Sequence, residues 1–169
     1  MLFVLSAKCF HIMKHTLKSG FTLIELLIVI ALIAVLAGAV IIALNPARQF
    51  QQARNSERWS HVSVISNAIQ QNIAENRGAW TCDVGAIPTS TTPIHSTSTA
   101  GGYDLCSCLV PANLAALPTD PIDPDTYNFD GCSDYMTGYT IERDATTGRI
   151  TITAPLTEID GVADITVTQ

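Results

Sequence analysis

One carboxylate near the start of the chain stands where a charge is costly. Glu25 is the fifth residue of an apolar run that begins at Phe21 and continues to Leu44. An ionised side chain within hydrocarbon costs about 2.5–3.5 kcal/mol even on lenient insertion scales. The run directly follows Gly20, a small residue of the kind that a peptidase can recognise. These residues predict a cleavable segment followed by an apolar helix whose carboxylate needs a compensating partner.

A second group of carboxylates lies between Leu117 and Asp130. Three prolines interrupt this segment, which excludes a regular helix or a central strand. Calcium binds about six to eight oxygens from carboxylates and backbone carbonyls, and an acidic loop supplies both. The spacing is not that of an EF-hand, and solvated turn residues are the alternative interpretation. The predicted calcium ligands are Asp120, Asp123, Asp125 and Asp130.

Four cysteines follow the N-terminal segment that contains Cys9, and an even number in an exported domain predicts two disulfides. Cys106 and Cys108 are poorly placed to pair with each other, because residues two apart point apart on a helix and lie about 6.6 Å apart on a strand. Two pairings remain. Cys82–Cys106 with Cys108–Cys132 is favoured over Cys82–Cys108 with Cys106–Cys132, because it closes two separate loops. A zinc site is disfavoured, because C-x-C is not the usual ligand spacing.

Motifs that would indicate an enzyme are missing from the sequence. It contains no phosphate-binding glycine loop and no histidine pair spaced for a catalytic metal. His61 and His95 are expected to be surface residues. We therefore predict that the protein is not an enzyme, and the only cofactor considered is a structural calcium ion.

Charge is distributed unevenly along the chain. All three lysines precede Gly20, whereas all fifteen acidic residues follow it. The part after Gly20 therefore carries a formal charge of −9, which argues against nucleic acid as a general ligand. One local basic patch remains, and it is expected to be a solvated helix face or a set of intersubunit ion pairs. It consists of Arg48, Arg54 and Arg58.

The apolar run is long enough to cross a membrane. It contains 24 residues, more than the roughly 20 that a spanning helix needs. Lysines on its N-terminal side favour a cytoplasmic leader and a head outside the membrane. A secretory signal peptide cleaved near 37–39 is one alternative, but its apolar core is typically about 7–15 residues and leaves Glu25 unexplained.

After the apolar run, Asn45-Pro46 predicts a kink or a restart of the helix. An amphipathic helix is then expected to end near Gly78. Trp59 is expected in the core of the head, with an intersubunit contact as the alternative. The apolar positions recur at spacings of three and four, at Val62, Ile65, Ile69 and Ile73.

The C-terminal half predicts a small sheet. Residues 86–102 are rich in serine and threonine and are expected to form a loop, and residues 110–117 one or two helical turns. Period-two patterns around 139–152 predict a hairpin, and 165–167 one more strand. The expected fold class is α+β: a long N-terminal helical spine, with a transmembrane half and an amphipathic half, packed on a small antiparallel sheet.

Residues 18–44, which begin Lys-Ser-Gly-Phe-Thr-Leu-Ile-Glu, resemble the N-terminal signature of type IV pilins and of the pseudopilins of type II secretion systems. The resemblance implies cleavage between Gly20 and Phe21 by a prepilin peptidase, and N-methylation of Phe21. It also implies that Glu25 guides filament assembly, and that the head has a pilin-like fold.

The segment from Leu117 to Tyr127 is similar to the Leu-Pro-x-Asp-Pro…Pro-Tyr loop of major pseudopilins, which binds calcium and is stabilised by it. This sequence departs from that pattern at Ile122-Asp123, where those loops typically have an aromatic residue and a glycine. The departure weakens the calcium prediction.

The sequence thus predicts four parts: a prepilin leader at 1–20, shortened to 13–20 if translation starts at Met13, a transmembrane and assembly helix at 21–44, the amphipathic half of the spine at 45–78, and a disulfide-bonded head at 79–169. The predicted function is that of a structural subunit of a type IV pilus or pilin-like filament. Alternatives are a major pseudopilin of a type II secretion system and a single-pass, membrane-anchored, extracytoplasmic binding module.

The resemblance also implies the partners and the location. The expected partners are further copies of the chain, the prepilin peptidase and methyltransferase, an inner-membrane assembly platform, and membrane lipid before assembly. The precursor is expected in the cytoplasmic membrane with its head outside, and the assembled filament in the periplasm or outside the cell.

Overall fold

A computed structural model describes residues 20–96, 101–159, 161 and 163–169 of the 169-residue chain. The predicted leader up to residue 19, with its alternative start at Met13, lies outside these residues. Contacts divide the chain after Leu44, and the second compact unit is Asn45–Gln169.

Helix α1 covers Leu23–Leu44 and contains one charged residue, Glu25. With 22 residues, and with a mean hydropathy of 3.3 over an 18-residue window, it is long and apolar enough to cross a membrane. A helix of that length rises about 33 Å, close to the roughly 30 Å of a bilayer's hydrocarbon core. Its large apolar side chains are exposed, so they need a cover of lipid or of other protein.

Helix α2 covers Pro46–Glu75, and the predicted interruption at Asn45-Pro46 is present. Asn45 has a φ of 41°, in the left-handed region that asparagine tolerates better than most residues. Pro46 occupies the first helical position, where its missing N–H is not needed. The two residues therefore end one helix and start the next.

Four antiparallel strands form one sheet in the order β1-β2-β3-β4, and α2 packs against β3 and β4. The short helix α3, Cys106–Leu109, lies between β1 and β2 in the chain. The α+β class is confirmed, as are the predicted hairpin and the final strand. The strands are β1 Thr92–His95, β2 Met136–Arg143, β3 Ile150–Ala154 and β4 Ile165–Thr168.

The core lies between α2 and the sheet. Val62, Ile65 and Ile69 are almost fully buried, which confirms the predicted apolar stripe. Burial of each such side chain stabilises the fold by about 1.5–3 kcal/mol. Trp59 was expected in this core, but it is 50% exposed. It follows the buried Arg58 by one residue, and so it is turned by about 100° away from the stripe.

Two local predictions in the head are wrong. Residues 92–95, expected in a loop, form the edge strand β1, which pairs with β2 through Thr92 and Ile141. Pro93 is compatible with this position because its carbonyl faces away from β2, where it accepts the Tyr103 N–H over 2.9 Å, so its missing N–H is not needed for pairing with β2. The helical turns expected at 110–117 form earlier, as α3.

The disulfides join Cys82 to Cys108 and Cys106 to Cys132, with Cα–Cα distances of 4.9 and 5.3 Å. The favoured pairing, Cys82–Cys106 with Cys108–Cys132, is therefore wrong, and its alternative is correct. The physical reason is α3, on which residues two apart point to opposite sides. Cys106 faces the core and is fully buried, whereas Cys108 is partly exposed.

Candidate functional site

The predicted cleavage point lies in an open segment. Gly20 and Phe21 precede α1 without regular secondary structure, and Phe21 is 87% exposed. A Cβ added at Gly20 would meet no atom within 4 Å. Nothing in the described structure therefore requires glycine at this position. A requirement for glycine would have to come from an enzyme that reads the segment.

The first turn of α1 forms a capping box. The Glu25 N–H donates to the Thr22 hydroxyl over 3.2 Å, and Glu25 Oε2 accepts the Thr22 N–H over 3.1 Å. The Thr22 hydroxyl also lies 3.2 Å from Glu25 Oε2. Such a reciprocal pair satisfies two backbone N–H groups that a helix start leaves without partners.

Sequence reasoning missed Thr22, although Thr-x-x-Glu before an apolar run is the signature of a capping box. An N-cap of this kind stabilises a helix by about 0.5–2 kcal/mol. The negative carboxylate also lies at the positive end of the helix dipole. Glu25 therefore has local partners within a single chain, which lowers the cost of its position before any second copy is present.

Asp120 is not placed to bind a cation. Its two carboxylate oxygens accept hydrogen bonds from Arg58 Nε over 2.7 Å and from Arg58 Nη2 over 2.8 Å. Both side chains are completely buried. This correction to the predicted ligand set has a clear cause, since a guanidinium that fills both oxygens in a dry site leaves none for calcium.

Asp123, another predicted ligand, organises its own turn. Its oxygens accept the Asp125 N–H over 3.1 Å and the Thr126 hydroxyl over 2.7 Å. The Thr126 hydrogen bond is the main reason why the pKa of Asp123 lies below its ordinary value. Across the described ranges, no three His, Cys, Asp or Glu side chains are grouped to hold a metal ion. Calcium binding by this loop, with Asp125 and Asp130, stays a prediction without structural support.

The predicted basic patch is largely an internal ion-pair network. Arg54 forms a two-pronged contact with Glu158. Its Nη2 donates a hydrogen bond to Glu158 Oε1, and its Nε donates one to Glu158 Oε2 over 2.6 Å. Arg58 Nη1 donates to the same Glu158 oxygen over 3.1 Å and to Asn55 Oδ1 over 2.6 Å. Arg58 is thus not on a solvated face, because it continues the buried stripe four residues before Val62.

The charges of this network reinforce one another. Burial lowers the pKa of the Arg58 guanidinium, but hydrogen bonds and attraction to Asp120 and Glu158 outweigh it and raise that pKa. The hydrogen bond from Arg54 is the main reason why the pKa of Glu158 lies below its ordinary value. Both directions favour the charged forms of Arg58 and Glu158 around neutral pH.

The two histidines after residue 20 make structural contacts, and the prediction that both are surface residues is wrong. His61 Nδ1 lies 2.8 Å from the Tyr139 hydroxyl. His95 is 6% exposed and covers Gly102, where an added Cβ would lie 2.0 Å from the imidazole ring. The His95 ring therefore excludes any residue with a side chain at position 102.

Arg58→Met should destabilise the fold of the second unit by about 3–5 kcal/mol, because it leaves Asp120 as an uncompensated buried charge. The double variant Arg58→Met/Asp120→Leu should regain most of that loss. Arg48→Met, on the same helix but exposed, is the matched control and should change stability by less than about 0.5 kcal/mol. Urea unfolding of the full chain in detergent, followed by near-ultraviolet circular dichroism, measures all three. An Arg58→Met variant as stable as the wild type would contradict the role of the pair.

Acid should weaken the same network. The folded-state pKa of Glu158 is depressed, so its contribution is present above the unfolded pKa of about 4.3 and is lost as the pH falls through the folded value. Glu158→Gln should therefore destabilise the protein at pH 7, and the gap to the wild type should shrink below about pH 4. Unfolding midpoints measured from pH 7 to pH 3 test this. A gap of constant size would contradict it.

Comparison with known proteins gives a match for the N-terminal segment alone. Residues 16–41 match the prokaryotic N-terminal methylation motif. No curated protein and no solved structure matches the chain significantly. The motif indicates a structural subunit rather than an enzyme, and with α1 it indicates a membrane-anchored precursor. The chain therefore carries the prepilin-type N-terminal motif that type IV pilins and pseudopilins share.

Proposed function

We propose that this protein is the structural subunit of a type IV pilus or pilin-like filament, processed between Gly20 and Phe21 and assembled through α1. The observation that carries the proposal is Glu25 at the start of an exposed apolar helix, inside the matched methylation motif. A helix whose apolar side chains are exposed along its length can exchange lipid for identical helices without changing its own fold.

Cleavage changes the chemistry around Glu25. It creates a new α-amine on Phe21, four residues before the carboxylate, and N-methylation leaves that amine able to carry a positive charge. In a filament, Glu25 of one subunit pairs with the Phe21 amine of its neighbour. The value of such a buried pair lies in fixing the register between subunits more than in stability.

The capping box gives the carboxylate a partner before this exchange. In the single chain, Glu25 is held by Thr22. The donors on Thr22 are neutral, whereas the amine of a neighbouring subunit carries a full positive charge, so assembly adds an ion pair to the hydrogen bonds that the carboxylate already accepts. The gain is larger in the water-poor core of a fibre than in water, where the same pair is screened.

The proposed partners follow from this route. Prepilin peptidase and methyltransferase act on Gly20 and Phe21, lipid surrounds α1 before assembly, and an inner-membrane platform extracts the subunit. The precursor is placed in the cytoplasmic membrane with its head outside, and the filament in the periplasm or beyond the cell. Two disulfides in the head suit an oxidising compartment.

A surface pilus is favoured over a secretion pseudopilus. The pseudopilin alternative rests on the similarity of the Leu117–Tyr127 loop to the calcium-binding loop of major pseudopilins. In this chain Asp120, the first acidic residue of that loop, pairs with Arg58 and not with a cation from solution. A membrane-anchored binding module is the alternative from another class of protein. A binding module of this kind should not require Glu25. A substitution at this one residue therefore distinguishes the two proposed functions.

Glu25→Leu should leave cleavage intact and abolish filaments, because it removes the charge that pairs with the Phe21 amine. Glu25→Gln separates the two roles of the side chain, since glutamine can still complete a capping box with Thr22 but carries no charge. We expect Glu25→Gln to fail in assembly as Glu25→Leu does, and Thr22→Ser to assemble normally. Electron microscopy of sheared surface material, with mass analysis of the N-terminus, gives both readouts.

Normal filaments from Glu25→Leu would rule out the assembly role and favour the anchored binding module. Normal filaments from Glu25→Gln alone would show that the cap, not the charge, is what assembly requires.

Gly20→Glu should block cleavage, leaving a full-length membrane protein and no filaments, because a large charged side chain replaces the residue that the peptidase reads. An added Cβ at Gly20 meets no atom within 4 Å in the described structure, and the position lies outside the second unit, so the fold of that unit should be retained. Gly38→Ala, at a glycine that is also without close neighbours, is the matched control and should be cleaved normally. Intact mass measurement distinguishes the forms, and a cleaved Gly20→Glu protein would place the processing point elsewhere.

A further inference from the structure

A cleft in the second unit is lined by none of the residues that the proposed processing and assembly use. Its volume is about 580 Å³, within the roughly 300–1,000 Å³ typical of small-molecule sites. It lies between the end of α2, the loop that follows α2 and the turn that joins β2 to β3. Its apolar floor is formed by side chains from these elements, Ile73, Ile87 and Ile150.

One wall of the cleft is an aromatic ring held in a fixed position. The Trp80 indole N–H donates to the Tyr103 hydroxyl over 3.0 Å, and that hydroxyl donates to the Gly85 carbonyl over 2.8 Å. Tyr103 is 6% exposed, so the ring is anchored from within the core. A large indole ring anchored in this way is preorganised to stack on a ligand, which reduces the entropy lost on binding.

Arg143, at the end of β2, supplies a positive charge to the same cleft. Among the described residues, no carboxylate lies within ion-pair distance of its guanidinium. The neighbouring Asp144 is engaged in the turn, where its Oδ1 accepts the N–H groups of Thr146 and Thr147. Arg143 therefore offers its planar set of donors to an anion from outside the chain, and carboxylates match that set in a two-pronged contact.

Glycines leave the rim of the cleft open. Gly78 and Gly85 have φ angles of 87° and 100°, and a Cβ added at either would meet no atom within 4 Å. The backbone here is conformationally suited to glycine, and the space beside it is free of side chains. At these two positions the rim of the cleft is therefore formed by backbone, with no side chain beside it.

We propose that this cleft binds a small organic acid in which a carboxylate is carried on a six-membered ring. The ring stacks on Trp80 above the isoleucine floor, and the carboxylate binds Arg143. Two sources share this chemistry, a uronic-acid sugar and an aromatic acid. Because the cleft is open and the contacts are few, a ligand of about 13 heavy atoms should bind with a Kd on the order of 1 mM.

The test uses the fluorescence of Trp80 in the full chain, in detergent at pH 7. The chain has two tryptophans, so Trp59→Phe leaves Trp80 as the reporter. Glucuronate and glucose form one arm, and benzoate and benzyl alcohol form the other. Acetate at equal concentration controls for ionic strength and for a carboxylate without a ring.

At least one of the two acids should change the Trp80 emission with saturation, whereas its uncharged counterpart and acetate should not. Arg143→Gln should weaken that binding at least about tenfold. Arg149→Gln, in the same turn but outside the cleft, is the matched control and should bind as the parent does. Saturation by glucuronate identifies a sugar acid, and saturation by benzoate alone identifies an aromatic acid.

The proposal is overturned if neither acid gives a saturable change up to about 20 mM, twenty times the expected Kd. It is also overturned if Arg143→Gln binds as well as Arg149→Gln does. Near-ultraviolet circular dichroism of both variants verifies that the fold is retained, so a loss of binding in Arg143→Gln is assigned to the guanidinium.

Discussion

The buried pair of Arg58 and Asp120 joins parts of the second unit that are far apart in the chain. Arg58 lies on α2, among the side chains that form the core, and Asp120 lies in the proline-rich loop before β2. Asp120 also donates its backbone N–H to the Thr137 carbonyl on β2, over 2.8 Å. Through Glu158, the same arginine holds the segment after β3. Helix, acidic loop and sheet thus share one charged centre.

Such a centre specifies an arrangement more strictly than apolar packing does. Apolar side chains tolerate small shifts, whereas two charges removed from water require nearly ideal hydrogen bonds to remain there. All the buried polar side-chain atoms of the described residues have hydrogen-bond partners. The loop that resembles a calcium site is instead attached by a guanidinium from the protein itself. At Asp120, the position that the resemblance would assign to a metal ion is occupied by the Arg58 guanidinium.

The N-terminal segment and the second unit are stabilised in different ways. Helix α1 satisfies its backbone internally and has one carboxylate, which the capping box with Thr22 accommodates. Its exposed apolar surface is suited to lipid or to other helices, and it needs little from the rest of the chain. The second unit buries a core between α2 and the sheet, and two disulfides and the charged centre hold its long loops.

Local patterns in the sequence were sufficient for much of this architecture. The apolar run, the break at Asn45-Pro46, the buried stripe of α2 and the hairpin follow from periodicity and from proline chemistry, which act over a few residues. The motif around Gly20, Phe21 and Glu25 is equally local. Thr22 was within reach of the same reasoning, since its signature spans four residues.

Only the tertiary structure decided which distant residues meet. The pairing of four cysteines depended on which side of α3 each one faces, and loop separation pointed to the wrong pairing. Whether Arg58 was a surface cation or a buried partner of Asp120 depended on a contact across 62 positions. Residues 92–95 form strand β1 because they pair with the edge of β2. Neighbouring residues determine helix starts, helix breaks and turns. A pairing between distant residues also depends on the packing that brings them together.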